Sequence, residues 1–249
     1  MKLTVVSLAF LLLTNMYTHT QSEQQVNNLQ VENEKFTGDC DSKINEYDPA
    51  LMWNNLRYKQ NNEFNPNSLE KGQKVGEVSF KVNGNVCFGY RLKNGDATWS
   101  EKGTPIYQVK GYSQNFRLFV GTDLYEVSEN PNAKKVGDIF DIAGKVKKIT
   151  LEYPIENSPL VEFSADAKSE FVEDFLKADY VPFDKIYKDS MFLSTKYFLR
   201  IHLNDDSKIV ISYWPDENAF IQGYGTEKIR KIILNHADKL KALAPPPQD

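Results

Sequence analysis

The chain has 249 residues, 41% apolar, 26% charged and 12% aromatic, with 34 acidic against 30 basic side chains and a formal charge of -4. With a mean hydropathy of -0.52, this excludes a wholly disordered, collagenous or coiled-coil chain, and a single long apolar run excludes a polytopic membrane protein. The acidic balance and the lack of a basic patch argue against a nucleic-acid partner, and the length allows one large or two small domains.

Met1 and Lys2 precede the apolar run Leu3 to Leu13. As a helix that run spans roughly 16 Å, about half of a bilayer core, which is too short for an anchor and fits a secretory signal peptide over residues 1–20. A small-x-small site at Thr18-His19-Thr20 places the mature start near Gln21. Export without stable membrane insertion after cleavage is the expectation, because Cys40 lies too far downstream for a lipid-anchor site.

Residues 21–47 are rich in Gln, Asn and Glu and read as a flexible leader, too polar to repay their ordering entropy. The two cysteines, Cys40 and Cys87, form an even count for an oxidising compartment. Paired, they close a loop worth about 3–4 kcal/mol in the chain-entropy model. The alternative is two buried free thiols. Two cysteines and three histidines do not make a structural zinc site of standard spacing.

Residues 48–141 read as a helix followed by a small β module. Asp48-Pro49 is a cap with proline at the first helical position, so a helix to Tyr58 is predicted with Leu51, Met52, Trp53 and Leu56 inward. The polar stretch 61–72 reads as a loop. Val78, Phe80 and Val82 alternate up to Asn83-Gly84, a strong hairpin signal, and Val86, Phe88, Tyr90 and Leu92 alternate beyond it. Ile106–Val109, Phe116–Val120 and Leu124–Val127 continue the pattern towards a small barrel or meander.

Residues 142–244 read as an α+β module with the order β-β-α-β-β-β-β-α, helices lying against an antiparallel sheet. Ser164 or Asp166 caps a helix with the stripe Phe171, Val172, Phe175 and Leu176, and Thr226 caps a final helix carrying Ile229, Ile232, Ile233, Ala237 and Leu240. Pro245-Pro-Pro247 ends it, leaving a Pro-rich tail over 245–249. Tyr197–Leu203 and Lys208–Trp214 form a hairpin. An odd loop with Leu203 opposite Ile209 puts Leu199, Ile201, Leu203, Ile209, Ile211 and Tyr213 on one face, whereas an even loop mixes both faces. The other face then carries Phe198, Arg200, His202, Val210, Ser212 and Trp214, with Phe198 across from Trp214.

The search for chemistry returns mostly negatives. There is no His-Glu-x-x-His, Gly-x-Ser-x-Gly, phosphate-binding glycine loop or Cys-x-x-Cys, so no catalytic residue, metal ligand or cofactor is assigned. Ser68-Leu-Glu-Lys71 lacks its Lys-Thr-Gly companion, and Asp39-x-Asp41 lacks the calcium-loop glycine. The mixed hairpin face (Phe198, Arg200, His202, Ser212 and Trp214), with Tyr224 between Gly223 and Gly225, is the candidate binding surface.

At Gly103-Thr-Pro-Ile-Tyr-Gln-Val-Lys-Gly-Tyr112 and Asn218-Ala-Phe-Ile-Gln-Gly-Tyr-Gly-Thr226 the chain resembles uncharacterised exported proteins of Gram-positive, spore-forming bacteria, over roughly residues 75 to 240. Many of those are lipoproteins, and this chain departs from them in lacking the lipid-site cysteine. The resemblance implies export and carries no catalytic residues. The expected function is therefore a non-enzymatic binding or accessory protein at the cell envelope, with an unknown envelope or secreted partner. The alternatives are a small secreted hydrolase of wall polymer or peptide, with convergent carboxylates or His202 as base, and an inhibitor or immunity protein whose acidic surface meets a basic target.

Overall fold

The computed structural model describes residues 47–243, and within them the architecture is α+β, with two mostly antiparallel sheets and three helices. The first sheet contains β1 (Ala50–Trp53), β2 (Leu56–Asn61), β3 (Lys71–Glu77), β4 (Phe80–Lys81), β5 (Asp96–Ala97), β6 (Pro105–Val109), β7 (Arg117–Val120) and β8 (Asp123–Glu129). Its spatial order is β3-β6-β7-β8-β2-β1-β5-β4. The second contains β9 (Val146–Glu152), β10 (Val161–Glu162), β11 (Tyr197–Leu203), β12 (Lys208–Trp214), β13 (Ala219–Phe220) and β14 (Gly223–Tyr224), in the order β10-β9-β11-β12-β13-β14. The helices are α1 (Ala165–Lys177), the single turn α2 (Phe183–Ile186) and α3 (Glu227–Leu243). The signal segment, the leader up to residue 46, Cys40 and the Pro-rich tail lie outside the described residues.

Two sequence expectations in the first module are corrected. The helix over residues 48–58 is a β-hairpin instead, with Leu51 opposite Tyr58 and Trp53 opposite Leu56. Asn54 and Asn55 both take left-handed dihedrals, φ 51° and 61°, as a tight hairpin turn requires. The alternating stretch around Asn83-Gly84 is not a hairpin either. There β4 pairs in parallel with β5, Phe80 opposite Asp96, and Val82 and Asn83 donate their amides to Ala97 and Thr98. Within Val86 to Leu92, Val86 and Cys87 are buried and the Tyr90 hydroxyl donates to Asp96 at 2.7 Å, while Phe88 points into solvent.

The second module follows its local signals closely. Ser164 caps α1 by accepting from the Ala167 amide at 3.2 Å, and Phe171 and Phe175 are its buried stripe. Thr226 caps α3 by accepting from the Ile229 amide at 3.2 Å, and its hydroxyl donates to Asp174 of α1. The β11–β12 hairpin has an odd loop, Asn204-Asp205-Asp206, and buries the six apolar residues expected on one face. Its register differs by two residues from the expected one. Ile201 faces Ile209 and Phe198 faces Ser212, so the Phe198–Trp214 pairing is not made. The irregularity lies on the other side of β11, against β9, between His202 and Leu203. Both registers bury the same face. The shorter loop wins because Asp206 accepts a left-handed φ of 61° and Asp205 Oδ1 accepts from the Ser207 amide at 2.8 Å.

The sheets are separate in sequence, yet their buried side chains form one cluster, from Leu51, Tyr58 and Leu118 to Ile149, Leu199, Ile211, Ile233 and Leu240. An aromatic series crosses between them. Phe116 meets Phe140 at 5.9 Å, Phe140 meets Phe175 at 5.7 Å, and Phe175 meets Phe220 at 5.2 Å between ring centroids. Such contacts contribute about 0.5–1.5 kcal/mol each beyond area burial.

Candidate functional site

The inner face of the second sheet is consumed by the shared core, so its outer face is the one open to a partner. Alternation along β11 and β12 places Phe198, Arg200, His202 and Ser212 there, all half-buried. β9 adds Lys148, Thr150 and Glu152 to the same face, opposite His202, Arg200 and Phe198 respectively. The structure thus brings together four of the sequence-predicted surface residues.

Their charges are already engaged within the chain. Arg200 donates through Nε at 3.2 Å and Nη2 at 2.7 Å to Glu152, and through Nη1 to Glu63, which arrives from the loop after β2. The Lys208 amide donates to the Glu63 carbonyl at 2.7 Å and fixes that loop against β12. Burial works against ionising Glu63, but the hydrogen bond and charge of Arg200, with those of Lys208, outweigh it and hold the carboxyl below its ordinary range. Glu63 could not have been found from sequence, because nothing local in a polar loop signals a partner in β11.

His202 lies 3.4 Å from the Thr150 hydroxyl. Burial and the cations Lys148, Lys208 and Arg200 push its pKa down, so the ring is neutral at neutral pH. Thr150 itself is buried, which removes its hydroxyl from reach of a polymer. Among the described residues, no group of three or more His, Cys, Asp and Glu side chains is placed to hold a metal ion.

Trp214 and Tyr224 have different fates. Trp214 is 7% exposed, stacked on Phe183 of α2 at 5.6 Å, and its indole donates to the Met191 carbonyl at 3.1 Å. The segment 181–196 therefore roofs this end of the outer face, with Ile186, Met191, Trp214 and Ala219 as a small second core. Tyr224 stands on the edge strand, opposite Ala219, and is 44% exposed. Gly223 permits this placement because a Cβ there would sit 2.4 Å from the Asp179 carbonyl oxygen, at a φ of 154°.

The roof carries the apolar exposure that Trp214 lacks. Phe192 and Leu193, at the end of a 3-10 turn over Asp189–Phe192, are 81% and 83% exposed, and Tyr187 is half-exposed beside α2. Ile155 and Leu160, in the β9–β10 loop, also face solvent. Because β9 and β11 are antiparallel, with Glu152 opposite Phe198, this loop and the segment entering β11 lie at the same end of the sheet. Sequence reasoning missed the tip, although Met191-Phe192-Leu193 is an apolar run between Lys188 and Lys196 with neither strand nor helix periodicity.

Three clefts open elsewhere. A polar one of about 440 Å³ is lined by Ser113, Asn115, Asn130, Asn132 and Lys134. A shallow apolar groove of about 610 Å³ lies between α1 and β9, with Val146, Val172 and Leu176 as floor and Lys168 and Lys177 on its rim. A third, of about 450 Å³, is lined by Tyr47, Arg57, Tyr90 and Arg91. No known family model, curated protein or solved structure matches this chain.

Proposed function

We propose that this is an exported, non-enzymatic binding or accessory protein of the cell envelope, and that its contact surface is the end of the second sheet roofed by residues 181–196. The observation that carries this reading is the pair Phe192 and Leu193, held almost fully exposed on a base fixed by buried Met191 and Trp214. A folded chain that leaves two adjacent large apolar side chains in water gains nothing from them alone, and such exposure marks an interaction site. The carboxylates that converge on the outer face, Glu63 and Glu152, are both engaged by Arg200, which favours binding over hydrolysis.

Export is supported by the apolar run Leu3 to Leu13 and by the cysteine pair. Cys87 is buried, and no free cysteine occurs among the described residues, which favours a bridge to Cys40. The test is fractionation of expressing cells with intact-mass measurement of the recovered chain. An extracytoplasmic product starting near Gln21, which gains the mass of one reduced disulfide on treatment with thiol, is the expected result. A cytosolic product retaining residues 1–20 overturns the export reading.

A further inference from the structure

We infer that the Phe192–Leu193 tip is a membrane-docking element, and that its occupant is the surface of a phospholipid bilayer carrying anionic headgroups. This rests on the envelope reading above and names its partner.

The tip has the form such contact needs. Met191 is buried beneath it, the Trp214 indole donates to the Met191 carbonyl, and the Ser194 hydroxyl donates to the Ser190 carbonyl at 2.8 Å. The two apolar side chains are thus held outward before any partner arrives, so little ordering entropy is lost on contact. Two adjacent protruding side chains are poorly matched to a flat, rigid protein surface. They enter the headgroup–acyl boundary of a bilayer without requiring a preformed pocket.

Cations stand where headgroups would lie. Lys188 precedes the tip, in salt-bridge range of no carboxylate among the described residues, and Lys196 follows it, its ammonium over the Phe198 and Trp214 rings at 5.4 and 5.9 Å. Lys185 is paired with Asp184 at 3.3 Å, leaving Asp189 as the remaining acid of the segment. The local balance over 181–196 is therefore basic in a chain whose formal charge is -4. Tyr187 offers the amphipathic ring typical of membrane interfaces, and Ile155 and Leu160 extend apolar surface at the same end of the sheet.

The test is co-sedimentation with vesicles of phosphatidylcholine, alone or mixed with phosphatidylglycerol. Wild type and variants are compared in the same form, with or without residues 1–20, so that any contribution of that segment cancels. Wild type is expected to partition more strongly onto the mixed vesicles. The double variant Phe192→Ser/Leu193→Ser should lose roughly tenfold or more in partition coefficient, and Lys188→Glu should lose affinity only for the anionic vesicles. Equal partition of wild type and the double variant, with unchanged circular dichroism, overturns the inference while leaving the export result untouched. So does a wild-type dimer in sedimentation velocity that the double variant dissolves, since the tip would then cover a second copy of the chain. Leu193→Trp keeps the tip apolar should the serine variant misfold. Its emission is expected to shift to the blue on vesicles and to be quenched by brominated acyl chains, and unshifted emission overturns the proposal.

Discussion

The Arg117 guanidinium, fully buried in the first sheet, donates through Nη1 at 3.1 Å to Asp205 in the turn of the second sheet's hairpin. It also donates through Nε to Glu126 at 2.7 Å and lies 4.7 Å from the Tyr112 and Phe116 ring centroids. One cation thereby fixes the register between two sheets whose sequences are far apart. Removing it strands two carboxylates in a largely dry site, at a cost of about 3–5 kcal/mol. Arg117→Ala should lower the thermal midpoint by roughly 10 °C, whereas Asp205→Asn, which keeps an acceptor, should cost about 1–3 kcal/mol. Calorimetry of the two variants checks the order.

The same pair sets an acid limit. Burial pushes Asp205 up, but hydrogen bonds from Ser207 and Tyr112 and the charge of Arg117 outweigh it and hold the carboxyl below its ordinary 3.8. Asp141 is lowered likewise, burial being outweighed by Lys145, the Ser113 amide and Arg117, and Glu63 is lowered by Arg200 and Lys208. Each binds fewer protons folded than unfolded, so each contributes stability that is complete above its ordinary pKa and lost as pH falls through the folded value. Denaturant titrations should therefore show stability falling from about pH 4.5 downward, and falling less steeply in Asp205→Asn.

A separate limb lies nearer neutrality. His236 of α3 is buried, stacked on Phe163 at 4.2 Å, with Nδ1 2.7 Å from the Ile232 carbonyl. Burial, against the Ile232 hydrogen bond and with the charge of Lys239, pushes its pKa below 6.5. The unfolded chain then takes up the proton first, so stability is complete above 6.5 and declines as pH falls towards the folded value. His202 carries the same sign. His236→Phe keeps a ring against Phe163 and should flatten part of the decline below pH 6.5, with His202→Gln removing more. A slope unchanged in both variants contradicts the assignment.

Local signals were legible where they act locally. Ser164 and Thr226 cap the helices the sequence assigns them, because a cap needs only the amide three residues on. The burial face of β11–β12 was legible from alternation, while its exact register was not, since loops of three and five residues bury the same side chains. At residues 48–58 the Asp48-Pro49 signal pointed to a helix. The competing signal was Asn54-Asn55, with Leu51, Trp53, Leu56 and Tyr58 alternating on either side. The Arg117–Asp205 and Arg200–Glu63 pairs left no trace in sequence, because each joins residues that only the packing of the two sheets brings together. The Phe192–Leu193 tip was visible as an apolar run but had no periodicity to classify it.

Gly223 and Gly225 flank Tyr224 for steric reasons that make opposite demands on the two positions. A Cβ on Gly223 would meet the Asp179 carbonyl oxygen at 2.4 Å, a backbone atom that cannot step aside without moving the strap before α2. The Val181 amide of that strap donates to the Gln222 carbonyl at 3.0 Å, so the strap is tied to this edge. At Gly225 the close atom is the Asn218 side-chain oxygen at 2.5 Å, itself the acceptor of the Tyr213 hydroxyl at 2.8 Å. Gly223→Ala must therefore strain backbone at a left-handed φ of 154° and is expected to cost about 2–4 kcal/mol. Gly225→Ala can be relieved by rotating Asn218 at the expense of the hydrogen bond it accepts from the Tyr213 hydroxyl and the one it donates to the Gly225 carbonyl, for about 1–3 kcal/mol. If Asn218 is the element that yields, the double variant Gly225→Ala/Asn218→Ala will be destabilised by less than the sum of its single changes. Gly223→Ala/Asn218→Ala will be additive. Urea denaturation of the five variants and the wild type measures both, and additivity at Gly225 would place the clash elsewhere.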